Sequence, residues 1–169
     1  SQVGHHMRFG HAVQRLHRAI ADGSAGRVTL FQAAYRCNSL HGPWWRDRAQ
    51  SGGQVFEQVI HLYDLARFLC GDAAAAWGML ANLCHAQVPG YTVEDTSVSG
   101  VRFASGALAA ITGSNCAVPQ EWSHPFSVVC ERLTATFADA NRAEFAWTDQ
   151  QPVRREAVAG EGNPYAAET

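Results

Sequence analysis

The order of patterns along the chain predicts an α+β fold: a largely antiparallel, open β-sheet with helices packed on one face. Three observations carry this reading. Two segments with helical apolar spacing come early, at residues 10–22 and 53–70. A strand-like segment at 27–36 lies between them. After Asp72, short runs rich in Val, Thr, Phe and Ala follow one another between turn signals, with no helical stretch to carry parallel crossovers.

Each element has its own warrant. In residues 10–22, Ala12, Val13, Leu16, Ala19 and Ile20 recur at helical spacing, and Gly23 follows as a stop signal. Residues 27–36 are rich in β-branched and aromatic side chains. Residues 38–50 read as a loop holding Pro43, Trp44 and Trp45. Ser51 and Gln54 have the spacing of a capping box that starts the second helix. Val55, Val59, Leu62, Ala66 and Leu69 give that helix one apolar stripe, and Gly71 ends it. Strands follow near 75–85, 96–104, 107–116, 126–131, 133–139, 143–148 and 153–158. Tight turns are expected at 104–106 and 139–141. There is no repeat, low-complexity tract or linker, so residues 1–169 read as one domain.

Charge and composition exclude several classes. Thirteen basic and 15 acidic residues give a net charge of −2, which offers nothing general to nucleic acid or an anionic membrane. Every basic residue is arginine, so any lysine chemistry must come from outside this sequence. Cys37, Cys70, Cys84, Cys116 and Cys130 form no CxxC pair and show no zinc-site spacing; reduced thiols in a cytoplasmic protein are expected. The opening residues lack the apolar core of a signal peptide, and the apolar stretch 73–83, interrupted by Gly78, is too short to span a bilayer.

The chemistry-bearing pattern is on the second helix. Glu57, His61 and Asp64 stand at i, i+4 and i+7, which places them on one face. A histidine beside a carboxylate is a proton-transfer unit, because the carboxylate orients the imidazole and stabilises its charged form. On spacing alone, the same trio also fits a solvated face with helical charge pairs. Gly52 and Gly53 at the helix start would let a cofactor or substrate approach the backbone. Trp44 and Trp45 can wall a sugar pocket or simply be buried under the loop, and Arg46 can bind substrate or serve the surface. His41 and His124 are candidates for supporting roles; His5 and His6 read as linker residues near the domain entry.

The run from Ser51 through Gly52, Gly53, Glu57, Val59, His61 and Asp64 to Gly71 closely resembles the Gfo/Idh/MocA oxidoreductase family, which carries a GGxxxDxGxHxxD-type signature at the start of its C-terminal domain. Gly52, Gly53, His61 and Asp64 fall on signature positions; Glu57 replaces the Asp and Val59 the Gly. Residues 3–9, the segments 94–96 and 101–108, and residues 163–169, read as the lead into a final helix, extend the resemblance over nearly the whole chain.

The resemblance implies a C-terminal substrate and oligomerisation domain. Its N-terminal Rossmann partner domain and a final helix are expected to lie outside this sequence, and the isolated domain to be inactive. It implies NAD or NADP, bound mainly by that Rossmann domain, and a small sugar, polyol or related hydroxy substrate. It implies His61 as general acid and base with Glu57 and Asp64 beside it, no metal, and a homo-oligomer formed through the open sheet face. No GxGxxG follows a strand here. Two other classes remain open from sequence. One is a non-catalytic binding or dimerisation domain. The other is a metal-dependent hydrolase or isomerase with Glu57, His61 and Asp64 as ligands.

Overall fold

A computed structural model describes residues 4–160 of the chain, so the reading of residues 163–169 lies outside the described residues. Its centre is one eight-stranded sheet in the order β2-β3-β4-β1-β5-β6-β7-β8. The strands are β1 (Val28–Arg36), β2 (Ala73–Ala81), β3 (Thr96–Phe103), β4 (Leu108–Ser114), β5 (Phe126–Cys130), β6 (Leu133–Asp139), β7 (Arg142–Trp147) and β8 (Arg154–Ala159). All neighbours are antiparallel except β1 and β4, which run parallel with Ala33 opposite Ile111. The expected α+β class and both expected hairpin turns are present; Gly106 takes φ +91 in the first of them.

Two helices cover one face. α1 (His11–Ala21) and α4 (Ile60–Cys70) bury residues of the apolar stripes read from the sequence, Leu16, Leu62, Ala66 and Leu69 among them, and Leu65 besides. They pack on Phe31, Ile111, Val128, Leu133, Phe137 and Phe145, which alternate with outward residues as a pleated strand requires. The other face carries no helix among the described residues. It exposes Trp77, Met79, Val98 and Leu108 at the β2 end and Arg142, Glu144 and Arg155 at the β8 end. β2 is exposed along nearly its whole length. No helix among the described residues is long and apolar enough to cross a membrane.

Two local expectations are corrected. The predicted loop at 38–50 contains two single helical turns, α2 (Pro43–Arg46) and α3 (Arg48–Ser51). Pro43 opens the first, as its fixed φ favours, and the Asp47 carboxylate accepts the Ala49 N–H at the start of the second. The capping box also fails. Ser51 Oγ donates to Trp45 O and accepts from Gly53 N, while Gln54 is buried and donates to Gln58 instead of reaching back.

Candidate active site

The helix bearing His61 begins irregularly. Val55–Val59 form a π-turn that passes into α4 at Ile60. The cap comes from far along the chain: the buried Glu94 carboxylate accepts the Val55 N–H at 2.7 Å and the Arg48 guanidinium at 2.5 Å. Gly53, at φ +108, lies so close to Glu94 that a β-carbon would meet its Oε2 at 2.5 Å. Gly52 ends α3 in the left-handed conformation. Both glycines thus serve the turn. The β-carbon side of Gly53 is filled by this chain's own Glu94 carboxylate.

The π-turn also has a packing cause. Val59 presses on β4 at its glycine: a β-carbon at Gly113 would lie 2.7 Å from Val59 Cγ2 and 2.6 Å from Ser97 Oγ. Where the signature has glycine on the helix, this chain has valine, and the room is supplied by Gly113 on the sheet.

Gln58, His61 and Asp64 follow one another along one side of this helix, and each meets a different part of the molecule. Gln58 lies against the 38–46 loop, with its Nε2 3.3 Å from His41 Nε2. That loop is held by the buried Asn115 side chain, which bonds both main-chain groups of Ser39, the Cys37 thiol and the Tyr91 hydroxyl. Burial first, and then Arg46, holds the His41 imidazole below its ordinary pKa. Asp64 receives both arms of the Arg8 guanidinium, Nε at 2.6 Å and Nη2 on the other oxygen, with His5 Nε2 at 3.8 Å. His61 sits between these two attachments, half-buried. The His6 ring centroid is 5.1 Å from its own and that of His5 5.9 Å, both edge-on.

Several sequence expectations change at this point. His5 and His6 are not linker residues; they and the turn His6–Phe9 lie over the helix face that carries His61, Asp64 and Phe68. Both oxygens of the Asp64 carboxylate are engaged by Arg8. Glu57 is half-buried, stands in the π-turn rather than in regular α-helix, and makes no side-chain hydrogen bond or ion pair among the described residues. Arg46 turns inward and donates to the carbonyls of Leu40 and His41, which staples the loop and leaves its guanidinium committed. The two tryptophans part. Trp45 is buried against His41 and Tyr91, and Trp44 is 50% exposed. His124 lies beside Tyr35, ring centroids 6.2 Å apart, and faces a cavity shared with His6.

Arg8, Glu94, Gln58 and Asn115 escaped the sequence reading because each acts across the fold, with no local spacing to mark it. Glu57, His61 and Asp64 do not form a metal-ligand group. Among the described residues the one grouping of that kind is Cys84, Asp95 and Cys116, at the far end of β2 and β4. An imidazole seated between two clamped segments is a group able to transfer a proton.

The model of the GFO/IDH/MocA C-terminal domain matches residues 13–136. The chain is 34% identical over 111 residues to 1,5-anhydro-D-fructose reductase of Ensifer adhaerens, covering 63% of this chain and 32% of that protein. Levoglucosan dehydrogenase in complex with NADH and levoglucosan has the same fold at a TM-score of 0.82 and 21% identity, over 96% of this chain and 47% of that one. An oxidoreductase domain protein from Kribbella flavida gives a TM-score of 0.82 and 22% identity, over 99% and 49%. The chain thus spans 32–49% of the length of these relatives.

Proposed function

Since the chain belongs to the GFO/IDH/MocA family, we propose that it is the substrate-side half of an oxidoreductase acting on a sugar, polyol or related hydroxy compound, with His61 as the proton-transfer group. The observation that carries this is the seat of His61. It is half-buried on a helix whose start is fixed by Glu94 and whose next turn is clamped by Arg8, so the imidazole has a defined position.

In the proposed reaction, a nitrogen of the His61 ring accepts the proton of a substrate hydroxyl as hydride leaves the carbon that bears it. In the reverse direction the imidazolium returns that proton to the carbonyl oxygen. The hydride acceptor is a nicotinamide, NAD or NADP, held by a Rossmann domain outside this sequence. Exposed Trp44 is the aromatic of the pair available to a sugar face. Glu57, with its carboxylate uncommitted, is free to meet substrate.

The test is the full-length enzyme with His61→Asn and His61→Ala. Turnover is expected to fall by roughly 10²–10⁴, the usual contribution of a positioned acid–base group. Nicotinamide binding, read by cofactor fluorescence, should stay within twofold. Turnover within threefold of the parent would overturn the assignment of His61.

A second part of the proposal concerns the open sheet face, where Trp77 lies across Gly100 beside Met79, Val98 and Leu108. A second copy of the chain is the proposed cover, because a broad one-sided sheet with an exposed edge strand needs a partner of similar shape. Sedimentation equilibrium of the full-length protein at micromolar concentration should show a dimer or higher oligomer.

A further inference from the structure

The sulfurs of Cys84 and Cys116 lie within 4.8 Å of each other, although the two residues are far apart in sequence and in no recognisable motif. Cys84 is exposed, in the segment that leaves β2, and Cys116 is half-buried just past the end of β4. Between them sits the Asp95 carboxylate, and its neighbours decide what the pair can do. Asp95 Oδ1 accepts Leu83 N and the Thr96 hydroxyl, while Oδ2 accepts Leu83 N, Cys84 N and His85 N, all at 2.7–3.0 Å. Both oxygens are saturated by this chain. Burial opposes the charge, yet the N–H groups of Leu83, Cys84 and His85 hold the carboxyl below its usual range. Asp95 is therefore a brace for the Cys84 segment. That leaves two sulfur ligands, which is too few for the four-coordinate site a thiolate zinc centre requires.

We propose that Cys84 and Cys116 are a vicinal dithiol that closes to a disulfide in the presence of a small-molecule disulfide such as oxidised glutathione. Cys84, the exposed partner, attacks first. Its thiolate takes one sulfur of the oxidant, breaking that S–S bond, and the other half leaves as a thiolate. Cys116, once deprotonated, attacks the Cys84 sulfur, and the second half leaves. Two protein thiols are oxidised, one small disulfide is reduced to two thiols, and the two protons pass from the cysteines to the released thiolates. The second step is the slower one, because burial, then the adjacent Cys84 sulfur and the Asp95 charge, keep the Cys116 thiol protonated well above its ordinary range.

The bond would tie the exit of β2 to the exit of β4 and so fasten the segment 82–95 at one end. The other end of that segment carries Glu94, which accepts the Val55 N–H at the start of the His61 helix. A redox event at the rim thereby acts on the element that positions the candidate catalytic group. This coupling rests on the proposed role of His61; the disulfide itself does not.

The experiment treats the protein with oxidised glutathione under native conditions and reads intact mass and free thiols for the parent, Cys84→Ser and Cys116→Ser. The parent should lose two thiols and two hydrogens and retain no glutathione. Cys116→Ser should stop at one glutathionyl group on Cys84. Cys84→Ser should not react on the same timescale. A stable glutathione adduct on the parent would overturn the proposal, as would a cross-link that survives in either variant. Protein whose two thiols stay blocked by bound zinc until a chelator is added would overturn it in favour of a thiolate metal site.

Discussion

The two faces of the sheet are built from the same strands and spend their residues differently. Along β6, Leu133, Ala135 and Phe137 point to the helices and are buried, while Thr134 and Thr136 point away and are half-buried or exposed. β4 repeats the division with Ala109 and Ile111 against Leu108 and Ala110. On the covered face, apolar side chains interlock with α1 and α4. On the open face at the β2 end, equally apolar residues are covered by no helix of the described chain and stay exposed. The same chemistry thus has two destinations: one face makes the domain stable, and the other makes a surface that calls for a partner.

Three substitutions would break or sharpen that contrast, in descending order of effect on stability. Phe137→Ala removes a ring stacked on Phe126 at 4.1 Å and fully buried. It should cost about 3–5 kcal/mol in urea unfolding with the slope unchanged. A loss under about 1 kcal/mol would mean the covered face is not close-packed. Gly113→Ala places a methyl group against Val59 and Ser97 where α4 meets the sheet. It should cost about 1–3 kcal/mol through overpacking. It should also lower turnover of the full-length enzyme, because the π-turn must shift. Leu108→Asp lies on the open face. Its effect on the stability of the separated subunit should stay within about 0.5 kcal/mol, while self-association measured by sedimentation weakens at least tenfold. Equal oligomerisation of parent and variant would locate the interface elsewhere.

How legible each part was follows from the range of the interaction that makes it. Strands β3 to β8 and helices α1 and α4 could be read because their alternation and spacing are local records of which side is buried. The helix that carries His61 could be read for the same reason. The start of that helix could not. Its cap is Glu94, its clearance is Gly113, and its clamp on the far side is Arg8, whose partner Asp64 is 56 residues away. Each is set by the sheet order, which no short window of sequence encodes. The i, i+4 spacing of Glu57 and His61 presumes α-helical winding, whereas Val55–Val59 wind as a π-turn. The Cys84–Cys116 pair was invisible for the same reason as Glu94: its two members come together only where β3 begins between β2 and β4.

The position of β1 has a consequence for how the sheet assembles. β2 to β4 and β5 to β8 are each a meander of neighbours in sequence, the β2–β3 connection over residues 82–95 being the long one. β1 alone joins them, hydrogen-bonded in parallel to β4 on one side and antiparallel to β5 on the other. Its partners lie far downstream, so its docking carries the greatest loop-closure cost in the fold. Folding should then proceed as two meanders that gain structure independently and a late seam that locks them. Substitutions in β1, such as Ala33→Gly, should speed unfolding more than they slow folding, and φ-values near one should cluster outside β1.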